Sequence, residues 1–182
     1  TLTHIEPGAC AVASDVPRAA GPIMPGMPNL HSHAFQRAMA GLAEYRGKEP
    51  DTFWSWRDSM YRLALRMTPE TLEAVAGWLY VEMLKAGYTS VCEFHYLHHA
   101  PDGSRYANPG ALAECVVRAA ASAGIGITLL PVLYESSGFG GRPARADQRR
   151  FVSDPDQLLD MLDSVRSAHP EDGTRAYGVA PH

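Results

Sequence analysis

Apolar residues recur at three- and four-residue spacing over residues 68–86, which is the periodicity of an amphipathic helix. Thr68 supplies an N-cap, Pro69 stands at the first helical position, and Gly87 offers a left-handed stop. Residues 88–94 follow at once and are rich in residues that favour strands. The pattern therefore predicts a helix that leads directly into a buried strand.

The same order of helix and strand occurs again further along the chain. A second helix is predicted over residues 108–122, and residues 125–133 form a near-continuous apolar strand. A third helix begins after Asp154-Pro155, and a last strand covers residues 175–179. Near-continuous apolar strands that alternate with helices are typical of a parallel sheet with helices on both faces.

The earlier part of the chain is less regular. Residues 21–30 predict a strand entered through a turn broken by proline and glycine, and residues 34–67 are longer than an ordinary crossover. A helix is predicted over residues 53–66, and residues 1–22 have the character of a separate element. The total of about four strands indicates an α/β fold, and it leaves open a doubly wound sheet or part of a barrel.

Composition narrows the class of protein. The chain has 182 residues, of which 46% are apolar, and a net charge of -4, as in a globular protein without a basic surface for nucleic acid. The sequence has neither an apolar run long enough to cross a membrane nor the layout of a signal peptide. The cysteines Cys10, Cys92 and Cys115 are odd in number and far apart, which favours reduced thiols and a cytoplasmic location.

Two histidines stand one residue apart where the first predicted strand ends, in GMPNLHSHAFQ. In an extended chain His31 and His33 point to the same face, and two imidazoles at this spacing suit a zinc-type ion. The carboxyl end of a parallel strand is also where α/β folds place their active sites. The alternative is a pair of loop histidines hydrogen-bonded to the backbone, and the short pattern alone leaves both interpretations open.

The residues around this pair resemble the amidohydrolase superfamily. Its first barrel strand is entered by a Pro-Gly turn and ends in HxH, as residues 24–33 do here, although Pro28-Asn29 stands where many members have an apolar residue followed by Asp. Four longer stretches are similar to the formimidoylglutamate deiminase family, the zinc iminohydrolases of that superfamily. They are LHSHAFQRAMAGLAE, FWSWRDSMYR, EMLKAGYTSVCEFHYLHH and GIGITLLPVLYESSGFGG, in this order along the chain.

The resemblance implies a fold and a reaction. Residues 23–182 would form the N-terminal half of a TIM-like (βα)8 barrel of the metal-dependent amidohydrolase type, with about the first four strands. Residues 1–22 would be the remnant of an N-terminal accessory β element. The implied reaction of histidine breakdown is hydrolysis of N-formimidoyl-L-glutamate to N-formyl-L-glutamate and ammonia, with a metal-bound hydroxide attacking the imino carbon. Barrel enzymes of this kind often pair, so a homodimer is expected.

The resemblance also implies particular site residues. His31 and His33 would bind zinc, although imidazoles also accept iron, nickel or cobalt. The substrate carries two carboxylates, and Arg57 offers a planar guanidinium that suits bidentate carboxylate binding. The implied substrate contacts are Gln36, Arg57, Tyr96 and His182. Each has an ordinary alternative: Arg57 could be a surface cation stacked on a ring, and Gln36 an exposed residue of a helix. Tyr96 could pack at the end of a strand, and His182 could be only a chain terminus.

Other residues invite a functional interpretation. His98 and His99 are neighbours in HYLHH and would face opposite ways in an extended chain, so we interpret them and His95 as loop residues rather than ligands. Glu93 lies inside a predicted strand, where an inward carboxylate can orient a metal-binding histidine. We interpret the three tryptophans as packing residues: Trp54, Trp56 and Trp78.

Several parts of the family's active site have no recognisable counterpart. These are a third metal histidine, a metal-binding aspartate and the glutamate that acts as acid and base, which we expect beyond His182. Together with the missing initial methionine, they suggest a fragment that is inactive alone. Two rival functions stay open, namely an aminohydrolase of the same superfamily acting on a purine, pyrimidine or triazine ring, and a non-catalytic α/β binding module.

Overall fold

A computed structural model of the chain describes residue 7 and residues 19–42 and 52–182. Most of the predicted accessory element at residues 1–22, including Cys10, therefore lies outside the described residues. Strands and helices alternate along most of the described chain. The strands are β1 (Met27–Ser32), β2 (Tyr88–His95), β3 (Gly126–Leu133), β4 (Arg175–Tyr177) and β5 (Ala180–Pro181). The α-helices are α1 (Phe53–Ala64), α2 (Pro69–Lys85), α3 (Ala111–Ala123) and α4 (Pro155–Ala168), with 3-10 helices at Ala34–Met39 and Ala146–Gln148.

The strands form one parallel sheet in the order β1-β2-β3-β4, and β5 also pairs with β3 in parallel. In register, Ser32 of β1 lies beside Glu93 of β2, which in turn lies beside Leu129 of β3. All strands therefore end at the same edge of the sheet. This edge is where a parallel α/β fold places its active site.

The helix ends follow the local signals in the sequence. Thr68 and Thr71 exchange side-chain hydrogen bonds with each other's backbone N–H groups at the start of α2. Gly87 and Gly124 end α2 and α3 with φ angles of 91° and 85°, a region that favours glycine. At the start of α4 the side chain of Asp154 accepts a hydrogen bond from the backbone N–H of Gln157. The predicted starts of α2 and α4 and the glycine stops of α2 and α3 are thereby confirmed, whereas α3 begins at Ala111 rather than residue 108 and α1 ends at Ala64 rather than residue 66.

The core joins the sheet to the helices. A continuous cluster of buried side chains includes Tyr80 of α2, Val116 of α3, Leu129 of β3 and Met161 of α4. Polar side chains are also fully buried in it, as the 1% exposure of Glu93 shows. Within the described ranges, no helix has both the length and the apolar character needed to span a membrane.

Some predicted boundaries were wrong. The first strand begins at Met27 rather than residue 21 and continues through Ser32, so that the two histidines straddle its end. Of the predicted strand at residues 175–179, only Arg175–Tyr177 is a strand, and a second short strand begins after Gly178 and Val179, at Ala180. A Cβ added at Gly178 would lie 2.8 Å from a methyl carbon of Leu130, so a larger residue at this position would require the Leu130 side chain to move.

Candidate active site

His31 and His33 converge at the end of β1. His31 is exposed within the strand, His33 is half-buried just after it, and their Nε2 atoms lie 2.9 Å apart. The side chain of Asn29 accepts a hydrogen bond of 3.1 Å from the backbone N–H of His31, which fixes the chain before the pair. The alternation expected of a strand thus brings both ring nitrogens to one point.

The ring of His33 is oriented by the neighbouring strand. Its Nδ1 lies 3.2 Å from the backbone carbonyl oxygen of Phe94, and a carbonyl can only accept a hydrogen bond. Nδ1 therefore carries the proton, which leaves a lone pair on Nε2. Burial lowers the pKa of His33, and the nearby His31 and His182 lower it further against the opposing effect of the carbonyl. The neutral imidazole is the form that binds a metal.

Glu93 acts on this segment through the backbone. Its carboxylate accepts hydrogen bonds from the backbone N–H of Ala34, at 2.5 Å, and from the hydroxyl of Tyr80, at 3.2 Å. Burial raises the pKa of Glu93 to about 7, while these hydrogen bonds favour the charged form. The expectation that Glu93 orients a histidine ring is corrected, because the carbonyl of Phe94 makes that contact and Glu93 holds the residue after His33.

A cavity of about 440 Å³ opens beside the two imidazoles at the carboxyl edge of the sheet. Its walls are mostly aromatic, from α1, β2 and the segment after β3. The structure brings every residue predicted for the site into the lining of this one cavity. These residues are His31, His33, Gln36, Arg57, Tyr96 and His182.

Arg57 lies between a stacking ring and the cavity. Its guanidinium carbon is 4.4 Å from the ring centroid of Trp54, and no acceptor for its buried Nε lies among the described residues. Trp54 is 60% exposed and is therefore a platform for Arg57 rather than the packing residue that was expected. Trp78 is also exposed, at 61%, whereas Trp56 packs against the core as predicted.

The other predicted substrate contacts are held by aromatic neighbours. The side-chain amide of Gln36 donates a hydrogen bond of 2.7 Å to the hydroxyl of Tyr96, which is almost fully buried. Burial raises the pKa of Tyr96 and keeps this hydroxyl neutral. The ring of His182 stacks on the ring of Tyr134 with centroids 4.3 Å apart. Burial lowers the pKa of His182.

The histidines after β2 are bound to the backbone. The Nε2 of His98 lies 2.9 Å from the carbonyl oxygen of Val132, and that of His99 lies 2.7 Å from the carbonyl oxygen of Val152. Burial lowers the pKa of His98 to about 4 and that of His95 to about 3. Across residues 19–42 and 52–182, no three His, Cys, Asp or Glu side chains cluster as a metal site. The pair at the end of β1 is thus one ligand short of the three usual for catalytic zinc.

Three residues that line or support the cavity were not predicted from the sequence. Tyr61 and Tyr134 line the cavity, and the amide of the buried Gln148 donates hydrogen bonds to both of their hydroxyls. Tyr61 lies four residues after Arg57 on the same helix face, and Tyr134 directly follows β3, so their positions carried a signal. Gln148 lies in the polar run RADQRR, and nothing in that run indicated a buried residue beside the cavity.

Residues 23–172 match the amidohydrolase family, so the chain belongs to that family. Formimidoylglutamate deiminase from Pseudomonas aeruginosa is 55% identical to it over 166 residues, which cover 91% of this chain and 36% of that protein. The chain therefore spans about a third of the length of this relative. The resemblance to this family that the four sequence stretches predicted is confirmed.

Solved structures share the fold of this chain. A crystal structure of an amidohydrolase from Brucella melitensis superimposes with a TM-score of 0.82 at 55% identity, covering 86% of this chain and 35% of that one. An atrazine chlorohydrolase from Arthrobacter aurescens, complexed with zinc, gives a TM-score of 0.66 at 21% identity over 86% of this chain and 34% of that one. At this low identity the second likeness concerns the fold alone. Of the two sheet arrangements left open, the partial barrel is confirmed.

Proposed function

We propose that this chain forms part of a zinc-dependent enzyme that hydrolyses N-formimidoyl-L-glutamate to N-formyl-L-glutamate and ammonia. The observation that carries the proposal is that Arg57, whose buried Nε has no acceptor among the described residues, lines the same cavity as the converging imidazoles of His31 and His33. The name of the Pseudomonas relative supports the same reaction. A cytoplasmic location in histidine breakdown belongs to this proposal.

The two imidazoles suit a divalent cation. The Nδ1 of His33 is engaged by a carbonyl, so the Nε2 lone pair faces the Nε2 of His31 at 2.9 Å, a spacing close to that of two nitrogens on one ion. Zinc, iron, nickel and cobalt all accept imidazole. When bound, zinc lowers the pKa of a coordinated water and so supplies a nucleophile near neutral pH. We assign no residue of this chain as the acid that protonates the departing ammonia.

The remaining residues bind and orient the substrate. Arg57 offers two parallel N–H donors to one carboxylate, and stacking on Trp54 holds its plane. Gln36, held by the Tyr96 hydroxyl, lies three residues after His33 and is placed to contact the group that reacts. The cavity of about 440 Å³ has the size of a small-molecule site, and aromatic side chains form much of its wall.

The test is release of ammonia from N-formimidoyl-L-glutamate by a protein of the relatives' full length that carries these residues. We expect turnover, and we expect Arg57→Met to lower kcat/KM by roughly a hundredfold or more because a carboxylate loses its charged donors. Arg62→Met, an exposed arginine of the same helix, is the matched control. Turnover of a purine, pyrimidine or triazine ring without turnover of this substrate would instead support the rival aminohydrolase.

Two further measurements separate the remaining alternatives. Absence of bound metal after expression with added zinc would support the non-catalytic module and contradict the enzyme. Robust ammonia release by residues 1–182 alone would contradict our placing of the acid and base outside this chain. The homodimer stays a prediction that the oligomeric state in solution tests.

A further inference from the structure

Gln148 is a buried polar residue behind the wall of the cavity, with 1% of its surface exposed. It ends the 3-10 helix Ala146–Gln148, in the segment that returns from β3 to α4. The backbone N–H of Arg145 donates a hydrogen bond of 2.7 Å to its side chain. Since a backbone N–H can only donate, the atom that receives it is Oε1, and the orientation of the amide is fixed.

The other end of the amide, Nε2, therefore faces two tyrosine hydroxyls. It donates hydrogen bonds to the hydroxyl oxygen of Tyr61, at 2.9 Å, and of Tyr134, at 2.8 Å. Both of its protons are used in this way, and Gln148 offers neither hydroxyl an acceptor. The two tyrosine hydroxyls also hydrogen-bond to each other. One phenolic proton is used in that bond, and the other remains to be donated to a group in the cavity.

Arg57 adds a charged donor beside these hydroxyls. Its guanidinium carbon lies 5.6 Å from the ring centroid of Tyr61, and the cavity is lined by both tyrosines and by Arg57. Within the described part of the chain, its buried Nε has no acceptor. Buried donors without acceptors are costly, and this cost is removed when an anion binds. The guanidinium of Arg57 and one phenolic O–H thus offer hydrogen-bond donors to the same region of the cavity.

We infer that Tyr61, Tyr134 and Arg57 form a carboxylate subsite, and that Gln148 is the positioning residue that makes both tyrosines donors. The inference rests on the proposed function, in which one carboxylate of the substrate occupies this subsite. Gln148 does not line the cavity. Its effect on the ligand passes through the direction of the hydrogen bonds that it donates.

The test reverses that direction while keeping the shape of the side chain. In a full-length protein carrying these residues, Gln148→Glu keeps the acceptor for Arg145 and offers the tyrosines at most one donor in place of two. A carboxylate there draws the hydroxyl protons away from the cavity. We expect KM for N-formimidoyl-L-glutamate, and Kd for N-formyl-L-glutamate by calorimetry, to rise roughly ten- to a hundredfold with kcat nearly unchanged.

A second variant separates positioning from mere packing. Gln148→Met has a similar volume and removes the amide, but it leaves the hydroxyl protons free to meet the ligand. We expect a smaller rise in KM than for Gln148→Glu, whereas equal rises in the two variants would overturn the inference. Tyr134→Phe should raise KM in the natural background and add little in the Gln148→Glu background, because the donor is already lost there.

Tyr177→Phe is the control for loss of a hydroxyl, because the Tyr177 hydroxyl donates to the carbonyl of His169 and is not part of the cavity lining. Should Gln148→Glu fail to fold, the Tyr61→Phe/Tyr134→Phe double variant decides, and an unchanged KM would overturn the subsite. Failure of the wild-type protein to turn over the substrate or bind N-formyl-L-glutamate overturns the proposed function, and the subsite with it. Turnover by the wild type with an unchanged KM in a folded Gln148→Glu overturns the subsite alone.

Discussion

The carboxylate of Glu93 on β2 accepts a hydrogen bond of 2.5 Å from the backbone N–H of Ala34, the residue directly after His33. The same carboxylate accepts a hydrogen bond from Tyr80 of α2. One fully buried side chain therefore ties the end of β1 to the neighbouring strand and to a helix behind the sheet. The point where the imidazoles converge is thus set from within the core.

Glu93→Ala should destabilise the fold strongly. It leaves two buried donors, on Ala34 and Tyr80, without an acceptor, and each such loss costs about 1–3 kcal/mol. We expect the free energy of unfolding, measured with urea, to fall by roughly 3 kcal/mol or more. Glu93→Gln should cost less, because it keeps the shape and one acceptor. Glu73→Ala is the control, since its ion pair with Arg118 is at the surface and is worth about 0–1 kcal/mol.

The buried histidines should make the fold sensitive to acid. Burial lowers the pKa of His95 to about 3 and of His98 to about 4, both from 6.5. As the pH falls below 6.5, the unfolded chain takes up protons that the folded chain does not, so the free energy of unfolding decreases. Burial raises the pKa of Glu93 from 4.5 to about 7. Between these pH values the folded chain binds a proton at Glu93 that the unfolded chain does not, so this group stabilises the fold as the pH falls. Two histidines outweigh one carboxyl, and these three groups together give a loss of about 1.4 kcal/mol per pH unit between 6.5 and 4.5. The lowered pKa values of His33, His99 and His182 act in the same direction.

Urea unfolding at several pH values between 7 and 4.5 measures this loss. His98→Gln should flatten the dependence on pH, because one of the two dominant groups is removed. Leu159→Gln, an exposed residue of α4 that carries no titratable group, is the control and should retain the wild-type slope. A slope that His98→Gln leaves unchanged would show that the acid sensitivity comes from other groups.

Local sequence signals predicted the regular elements and the metal-binding candidates. Capping by Thr68 and the stop at Gly87 are interactions between residues close in sequence, so composition and spacing reveal them. The convergence of His31 and His33 follows from the alternation of a strand, which is also local. The exact ends of the elements were predicted less well, as the first strand shows, which runs over Met27–Ser32 rather than residues 21–30.

The supporting polar residues could not be predicted in this way. Arg150 lies in a run that has the composition of a solvated loop, yet it is fully buried and its guanidinium donates to the carbonyls of Ala64, Met67 and His99. Gln148, two residues earlier, contacts Tyr61. Both depend on the segment after β3 folding over the end of α1, a contact between distant parts of the chain that no local pattern encodes.

The bond between Gln36 and Tyr96 should couple their effects on substrate binding. Tyr96→Phe removes the acceptor for the Gln36 amide, so Gln36 loses its fixed orientation toward the cavity. We expect KM for N-formimidoyl-L-glutamate to rise in Tyr96→Phe and in Gln36→Ala. In a double-mutant cycle the two effects should be coupled by about 0.5–1.5 kcal/mol. Tyr88→Phe, at the other end of the same strand, is the control, and strictly additive effects would contradict the coupling.

Zinc should stabilise the fold through the two imidazoles at the end of β1. A ligand that binds the folded state at a hundred times its Kd adds about 2.7 kcal/mol, which appears as a rise in melting temperature. His31→Asn and His33→Asn should each remove most of this zinc-dependent rise, because one of the two converging Nε2 ligands is lost. His33→Asn should also lower the melting temperature without zinc, since the bond to the carbonyl of Phe94 goes as well. His169→Asn should retain the full zinc effect, and the same effect in all three variants would place the metal elsewhere.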